Sequence, residues 1–298
     1  MGLPLGRAEH AQETLRTSTD DDMPHGSVLA AKETRLYERL AVCDSAIVAF
    51  SGGVDSSYLA WAAARTLGAR SLCITADSPS YPDRHRQLAR RIASEFGLRH
   101  EIVHTAELER PEYRANPVDR CYHCKHELYT TLTRIAADRR YTNIVDGANA
   151  DDRGDYRPGR QAAREFGVRS PLDEVKLTKA DIRELSRRAG LPTWDEPASA
   201  CLSSRIPYHS EVTGEKLRMI ERAERVLREF GFRVCRVRHH DDLARVEIGV
   251  DELPRALEPD LTQRIVAAIQ ALGYRQVTID PRGYRMGSLN EGVVLRPA

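Results

Sequence analysis

Residues 47–57 read IVAFSGGVDSS, a short apolar run followed by two glycines, three serines and one aspartate. The apolar run predicts a buried strand, and residues 58–68, YLAWAAARTLG, predict a helix. Gly52 and Gly53 allow a tight turn between the two. The N-terminus of the helix supplies unpaired N–H groups and the positive end of its dipole, which together bind anions. This segment therefore predicts a strand, a glycine loop and a helix, with an anion site at the loop.

The same alternation of strand and helix continues along the chain. SLCITAD (71–77) and HEIVHT (100–105) predict further strands on either side of the helical segment DRHRQLARRIASEFG (83–97). A helix over 122–140, a strand at NIVDGAN (143–149) and helices near 161–166 and 179–189 follow. Strands that alternate with helices predict an α/β fold, a doubly wound parallel sheet with helices on both faces.

The pattern divides the chain into three parts. Residues 1–28 are polar, contain the acidic run 20–22 and have no apolar periodicity, which predicts a mobile tail. Residues 29–200 would form the doubly wound domain. Residues 201–298 combine a helix (214–230), the strands FRVCRVRHH and LARVEIGV, a helix (261–272) and the strand RQVTID. They predict a smaller C-terminal α+β domain for substrate binding or oligomerisation.

Composition narrows the class of partner. The 298 residues include 45 Lys+Arg and 44 Asp+Glu, for a net charge of +1. The chain lacks the basic excess on which sequence-independent nucleic-acid binding relies, so nucleic acid is not an expected partner. No window approaches the roughly 18 apolar residues that span a bilayer, and residues 1–22 lack the apolar core of a signal peptide. A cytoplasmic protein is expected, with its six cysteines reduced and available for metal binding or catalysis.

The glycine loop carries side chains suited to a nucleotide. Its serines can donate to phosphate oxygens, and Asp55 can cap the helix or help to hold Mg²⁺ beside phosphates. The spacing differs from both GxxxxGK[ST] and GxGxxG, which argues against kinase-type transfer of a γ-phosphoryl group and against a dinucleotide. The alternative is a Gly-Gly turn that only caps the helix. The predicted nucleotide-binding residues are Ser51, Gly52, Gly53, Val54, Asp55, Ser56 and Ser57, with Gly147 after the fourth strand.

Three cysteines lie in polar segments. Cys121 and Cys124 belong to RCYHCK at the start of a predicted helix, where the helix dipole and neighbouring cations are expected to lower thiol pKa values. Cys201 belongs to the polar segment ACLSSRIPY. A lone CxxC fits a redox pair, part of an iron–sulfur cluster, or a Cys₃His zinc site completed by His123 or His126. The other cysteines, Cys43, Cys73 and Cys235, sit in or beside apolar runs and are expected to be packing residues.

Arginines of the C-terminal part predict an oxyanion site. Arg236 and Arg238 are two residues apart on a predicted strand and therefore project from the same face. Arg205, close to Cys201, could bind a second oxygen group, since guanidinium suits phosphate and carboxylate. The alternative is a solvated basic face of the strand. The hypothesis is a pocket for a mononucleotide.

The loop SGGVDSS resembles the SGGxDS signature of the PP-loop (N-type) ATP pyrophosphatases. In that family the loop holds the pyrophosphate of ATP while a substrate oxygen attacks the α-phosphate, which yields an adenylated substrate and pyrophosphate. Nitrogen or sulfur then reacts with the activated carbon. The family includes nitrogen-adding synthetases and enzymes that thiolate tRNA, so the motif implies the activation step and leaves the nucleophile open.

The combination of SGGVDSS, RCYHCK, ACLSSRIPY and GYRMGSLNE resembles the LarE family, from about residue 36 to the C-terminus. The resemblance implies an ATP- and Mg²⁺-dependent sulfur transferase that makes a thiocarboxylate from pyridinium-3,5-biscarboxylic acid mononucleotide for the nickel-pincer cofactor. It also suggests a homo-oligomer. Cys201 falls on the family's sulfur-donating cysteine, and the additional CxxC resembles members in which Cys121, Cys124 and Cys201 would hold a [4Fe–4S] cluster carrying sulfide.

Three alternatives to this interpretation stay open at the level of sequence. Cys201 could surrender its own sulfur and leave dehydroalanine. The chain could thiolate tRNA, which the balanced charge disfavours. It could also be a non-enzymatic nucleotide-binding module with structural zinc.

Overall fold

Four predicted strands of the first domain form one parallel sheet in a computed structural model that describes residues 25–154, 158–197, 200–285 and 287. The strands are β1 (Ala46–Ala49), β2 (Ser71–Asp77), β3 (His100–His104) and β4 (Asn143–Val145). Their order is β3-β2-β1-β4, and every neighbouring pair is parallel. The central position of β1 places the glycine loop at the middle of the sheet's carboxyl edge, where sheets of this kind bind ligands.

Helices connect and cover these strands. The longer helices of the first domain are α1 (His25–Ala41), α2 (Val54–Leu67), α3 (Asp83–Glu95), α5 (Arg120–Arg139), α6 (Gly159–Glu165) and α8 (Lys179–Arg188). The short helices α4 (Pro111–Arg114) and α7 (Pro171–Glu174), which the sequence did not predict, lie between them.

The core lies on both faces of the sheet. Ala46 and Val48 pack into a cluster with residues of α1, α2, α3 and α8, whereas Ile47 packs into a second cluster with residues of α5 and α6. Successive side chains of a strand point to opposite faces, so β1 is buried on both sides. The doubly wound α/β fold predicted from the sequence is confirmed.

The C-terminal part contains a small mixed sheet. Its strands are β5 (Cys235–His240), β6 (Leu243–Ile248) and β7 (Gln276–Ile279), in which β5 and β6 are antiparallel and β6 and β7 are parallel. The helices of this part are α9 (Gly214–Glu229), α10 (Leu253–Ala256) and α11 (Pro259–Gln270). One apolar cluster, which includes Leu227, Val237 and Ile265, joins the sheet to these helices. This arrangement is the smaller α+β unit expected from the sequence.

A separate apolar cluster joins the two parts. Tyr113 of α4 packs with Leu202 and Ile206 of the segment after Cys201, and with Leu217 of α9. The predicted boundary between residues 200 and 201 therefore falls next to a segment that is packed between the parts. At the other predicted boundary, α1 begins at His25, earlier than the expected end of the tail at residue 28, and residues 1–24 lie outside the described residues.

None of the described helices combines the length and the apolar character that a membrane-spanning helix requires.

The packing between the parts predicts cooperative unfolding. Leu217→Ala removes a side chain with 0 % exposure from the joining cluster and is expected to lower the free energy of unfolding by roughly 2–5 kcal/mol. Urea unfolding followed by circular dichroism should show one transition at a lower midpoint. Leu257→Ala, at a position with 45 % exposure, is the control and should change stability by less than about 0.5 kcal/mol. Two separated transitions in the native chain would contradict this prediction.

Candidate active site

The glycine loop lies between β1 and α2. Gly52 has φ +65°, in the left-handed region that favours glycine, and a Cβ there would lie 3.1 Å from the backbone nitrogen of Ala89 in α3. Gly53 is the N-cap of α2, and its carbonyl accepts the Ser57 N–H at 2.9 Å. The loop is thus held tightly against α3, with the first N–H groups of α2 facing the carboxyl edge of the sheet.

Some polar side chains of the loop form hydrogen bonds within the loop itself. The Ser56 hydroxyl lies 3.1 Å from the Ser51 hydroxyl and donates to the Gly53 carbonyl. In contrast, Asp55 Oδ1 and Ser57 Oγ are buried and have no hydrogen-bond partner among the described residues. Buried polar atoms are normally paired, so these two atoms fit a site that awaits a ligand such as Mg²⁺ or a phosphate.

Lys179 also belongs to this loop, although the sequence analysis did not select it. Its Nζ forms an ion pair with Asp55 Oδ2. Lys179 is the first residue of α8, where a cation opposes the helix dipole. That unfavourable position was a signal in the sequence that could have identified this lysine.

Gly147 lies against the loop, as the prediction that it contacts the nucleotide requires. A Cβ on Gly147 would lie 2.9 Å from the Ser56 nitrogen. The contact arises because β4 pairs with β1, so the residues that follow both strands meet at the same edge of the sheet. The nearby carboxylates have structural partners: Asp151 accepts the Lys179 N–H, and Asp152 accepts the Asn149 N–H. Asp155 lies outside the described residues.

Residues 200–208, called the Cys201 segment below, pack on the start of α5, which carries the CxxC pair. Arg120 donates to the Ser203 carbonyl at 3.0 Å and to the Asn116 side chain. The Tyr113 and Ser203 hydroxyls lie 2.6 Å apart. Leu202 and Cys124 belong to the same apolar cluster. Cys201 therefore lies in the same region as Cys121 and Cys124.

The expectation of low thiol pKa values at the CxxC pair is wrong. Cys121 keeps exposed surface, but the protein atoms around its thiol desolvate the thiolate and raise its pKa, and the opposing charge of Arg120 does not outweigh this effect. Burial also raises the pKa of Cys124 well above its ordinary value, and the carboxylate of Glu107 adds to the effect. Desolvation of the thiolate is larger here than the attraction of nearby cations. A bound cation would reverse that balance.

The donor set of this region is sulfur-rich, and all three thiols are free. Among the described residues, no group of three or more His, Cys, Asp or Glu side chains is placed to hold a single metal ion. This geometry gives no support to the Cys₃His zinc site. Thiols are the donor type that holds an iron–sulfur cluster, and Cys121, Cys124 and Cys201 lie on two segments that pack together.

The cysteines expected to be packing residues are buried. Cys43, Cys73 and Cys235 have almost no exposed surface. Burial raises the pKa of all three thiols, to about 12 for Cys73 and about 11 for Cys235. Thiols with such pKa values are inert at neutral pH.

Arg205 supports the Cys201 segment from within the protein. Its side chain is 1 % exposed, Nε donates to Glu224 at 2.8 Å, and Nη1 donates to the carbonyls of Ala200 and Cys201. Burial raises the pKa of Glu224, but the charges of Arg205 and its neighbours outweigh burial and lower it. Because its donors are engaged within the protein, this geometry favours a supporting role for Arg205 over direct contact with a substrate.

Arg236 and Arg238 are buried on the side of β5 that faces the same segment. Arg238 pairs with Glu247 at 2.8 Å and donates to the Ser204 carbonyl at 3.0 Å. Arg236 donates to the Cys235 carbonyl and lies over the ring of Tyr284. A solvated basic face, the alternative considered for these arginines, is therefore wrong. Both guanidinium groups lie beside the Cys201 segment.

A short turn connects the glycine loop to the Cys201 segment. The Tyr81 hydroxyl donates to the Ser51 carbonyl at 2.9 Å, and the Ser80 carbonyl accepts the Leu202 N–H at 2.8 Å. The two loops that the sequence singled out are thus neighbours in space. Most of the motif GYRMGSLNE lies outside the described residues. A cavity of about 900 Å³ between α8 and the C-terminal part, beside Trp194 and Arg233, contains none of the predicted site residues.

A parallel sheet with this glycine loop defines an ATP-dependent enzyme of the PP-loop class. The comparison with protein families agrees, since the family model described as asparagine synthase matches residues 39–121. The chain is 35% identical to pyridinium-3,5-bisthiocarboxylic acid mononucleotide synthase of Lactiplantibacillus plantarum over 89% of this chain and 96% of that protein. It is 43% identical to an uncharacterised protein of Synechocystis over 88% of this chain and 98% of that protein. It is also 29% identical to an uncharacterised protein of Methanocaldococcus jannaschii over 80% of this chain and 90% of that protein. The chain belongs to the LarE family of ATP-dependent sulfur transferases.

Close packing at Gly147 makes a testable prediction. Gly147→Ala would place a methyl group against the Ser56 nitrogen, so the loop must shift. We expect a loss of roughly 1–3 kcal/mol of stability and about a tenfold or greater loss of ATP affinity, measured by thermal unfolding and calorimetry. Gly26→Ala, where a Cβ meets nothing within 4 Å, is the control and should leave both unchanged. Native ATP affinity in Gly147→Ala would contradict the expected role of this position.

The lowered pKa of His85 in α3 predicts that the free energy of unfolding falls at acidic pH. Burial lowers its pKa from 6.5 to about 4, and the charges of Arg84, Arg205 and Arg236 add to the effect. Between these two values the unfolded chain binds more protons than the folded chain, so stability falls as pH falls, by up to roughly 3 kcal/mol. Urea unfolding from about pH 7 to about pH 4 should give a shallower decline in His85→Gln. The exposed His104→Gln is the control, and equal slopes in both variants would exclude His85 as the cause.

Proposed function

We propose that this chain uses ATP to convert a carboxylate of pyridinium-3,5-biscarboxylic acid mononucleotide into a thiocarboxylate, as part of nickel-pincer cofactor biosynthesis. The observation that carries the proposal is the packing of the segment around Cys201 on the start of α5, which carries Cys121 and Cys124, next to the turn that contacts the glycine loop. The name of the Lactiplantibacillus relative supports the choice of substrate. We also propose a cytoplasmic homo-oligomer.

In the first step, the glycine loop would bind ATP. The N–H groups at the start of α2 and the hydroxyls of Ser51, Ser56 and Ser57 would hold the pyrophosphate, and Asp55 would hold Mg²⁺. A carboxylate oxygen of the substrate attacks the α-phosphorus, the bond to the pyrophosphate oxygen breaks, and pyrophosphate leaves with that electron pair. Lys179, now paired with Asp55, is placed to compensate charge on the leaving group.

In the second step, an anionic sulfur of the Cys201 region attacks the acyl carbon and AMP leaves with the electrons of the carbon–oxygen bond. Where Cys201 is the donor, loss of its Cα proton then breaks the Cβ–Sγ bond, the thiocarboxylate leaves with that electron pair, and dehydroalanine remains. Sulfur is a competent nucleophile at neutral pH once it is anionic. Arg120, buried between Cys121 and Cys201, would stabilise that negative charge in a site of low dielectric constant. The packed cluster around Leu202 would keep water from the acyl adenylate.

The residues proposed to hold a [4Fe–4S] cluster are Cys121, Cys124 and Cys201. Such a cluster, when bound, would present one iron without a protein ligand, which can carry a sulfide. The charge of the irons would also offset the desolvation that raises the pKa of Cys121 and Cys124. The alternative source of sulfur is Cys201 itself.

The substrate phosphate would bind beside Arg236, while Arg238, whose donors already bond to Glu247 and to the Ser204 carbonyl, would support the pocket as Arg205 does. The guanidinium groups of Arg236 and Arg238 are both buried beside the Cys201 segment. A mononucleotide whose phosphate binds there would have its pyridinium carboxylate near the thiols. Arg205 and Glu224 would support this pocket through their mutual ion pair. These arginines would thereby favour a mononucleotide over a free pyridinium acid.

The test combines metal analysis with a product assay. Protein purified without oxygen is analysed for iron, zinc and acid-labile sulfide, and then incubated with ATP, Mg²⁺ and the biscarboxylic mononucleotide. We expect AMP, pyrophosphate and a product in which sulfur replaces one oxygen, together with iron and sulfide in equal amounts. In Cys201→Ala the iron and the thiolated product should both fall to background, whereas Cys73→Ala, which changes a buried cysteine of β2, should keep both.

The same experiment distinguishes the alternatives. Metal-free protein that thiolates the substrate once, with loss of hydrogen sulfide from the Cys201 peptide in a mass spectrum, would identify Cys201 as the sulfur donor. Stoichiometric zinc without cleavage of ATP would overturn the proposed activity.

A further inference from the structure

The turn at residues 78–81 contacts both loops of the proposed active site. Its Tyr81 hydroxyl donates to the Ser51 carbonyl in the glycine loop. The Ser80 carbonyl accepts the Leu202 N–H, and Leu202 follows Cys201 in the chain. Two adjacent residues of one turn therefore form hydrogen bonds to the glycine loop and to the Cys201 segment.

This turn is stiffened by a buried hydrogen-bond network. The hydroxyls of Ser78 and Ser80 both donate to Glu107, at 2.7 Å in the case of Ser80. The Ser80 N–H donates to the Ser78 hydroxyl at 3.2 Å, and the Tyr81 N–H donates to the Ser78 carbonyl at 3.0 Å. Ser78, Ser80 and Glu107 are almost fully buried. Satisfied polar networks in the interior are rigid, so a displacement of Tyr81 is passed on to Ser80.

The chain beyond the turn is also anchored. The Asp83 N–H donates to Glu221 of α9 at 2.6 Å, and Arg84 forms an ion pair with Glu196. These contacts oppose a displacement of the start of α3. A movement that begins at Ser51 is therefore directed toward the contact between Ser80 and Leu202.

We propose that Tyr81 is a positioning residue that couples occupation of the glycine loop to the placement of Cys201. Nucleotide bound at the loop holds the Ser51 carbonyl and Tyr81 in place, and the rigid turn then holds the Leu202 N–H and the segment behind it. An acyl adenylate reacts with water, so the sulfur has to be in position when the adenylate forms. This inference rests on the proposed function, because it assumes that the glycine loop binds ATP.

Hydrogen–deuterium exchange of the purified full-length protein tests the coupling. The probe is α,β-methylene ATP with Mg²⁺, which cannot be cleaved at the α-phosphate. In the native chain the probe should slow exchange of the peptide covering residues 200–206 by roughly fivefold or more. Tyr81→Phe removes only the hydroxyl, and we expect it to abolish this slowing while the affinity for the probe stays within about threefold. A purely structural role would raise exchange equally with and without the probe.

Tyr141→Phe is the matched control. The Tyr141 hydroxyl accepts one hydrogen bond, from Arg99 at 3.4 Å, and the residue precedes β4 at the opposite edge of the sheet. This variant should keep the slowing seen in the native chain.

A second variant keeps the test decisive if Tyr81→Phe fails to fold or loses the probe. Ser78→Ala leaves the contact between Tyr81 and Ser51 intact but removes the acceptor of the Ser80 N–H, and it should also abolish the slowing. Unchanged slowing in a folded variant that binds the probe, or a native chain that binds the probe without slowing, would overturn the coupling. A native chain that does not bind the probe at all would instead overturn the proposed function.

Discussion

Arg120 makes the contact on which the cysteine site depends. Its guanidinium is buried, and it bonds to the carbonyl of Ser203, a residue 83 positions further along the chain, as well as to Asn116. A buried arginine is stable only when its donors are satisfied, so the segment that carries Cys201 is held against the start of α5. Together with the packing of Leu202 and Ile206 on Tyr113, that contact keeps the Cys201 segment beside the helix that carries Cys121 and Cys124.

The same principle orders the C-terminal side of the site. Arg205 pairs with Glu224 of α9, and Arg238 of β5 pairs with Glu247 of β6. Each of these charges is removed from water and would be costly alone, so each pair fixes the relative position of two elements. The two arginines also donate to carbonyls of the Cys201 segment. The segment is thereby held from both sides by charge-assisted hydrogen bonds.

Several properties of the site follow from burial and could not be inferred from local sequence. The sequence around Cys121 suggests a thiolate favoured by a helix start and two cations, yet desolvation raises the pKa of this thiol. The pair of Lys179 and Asp55 spans 124 positions, and only the approach of α8 to α2 brings it together. The buried network of Ser78, Ser80 and Glu107 had no signal in the sequence, because its members are ordinary polar residues until the fold encloses them.

The sequence by itself determined the doubly wound sheet, the glycine loop between a strand and the following helix, and the three cysteines set apart from the packing ones. These features are local, since a period of two or 3.6 residues, a glycine pair or a CxxC spacing can be read within a few residues. Tertiary structure alone decided that the Cys201 segment packs on the CxxC helix, that the donors of Arg205 bond to groups of the protein itself and that a turn joins the two loops. Those outcomes depend on contacts between distant segments and on which groups lose water, and neither is written in any short stretch of the chain.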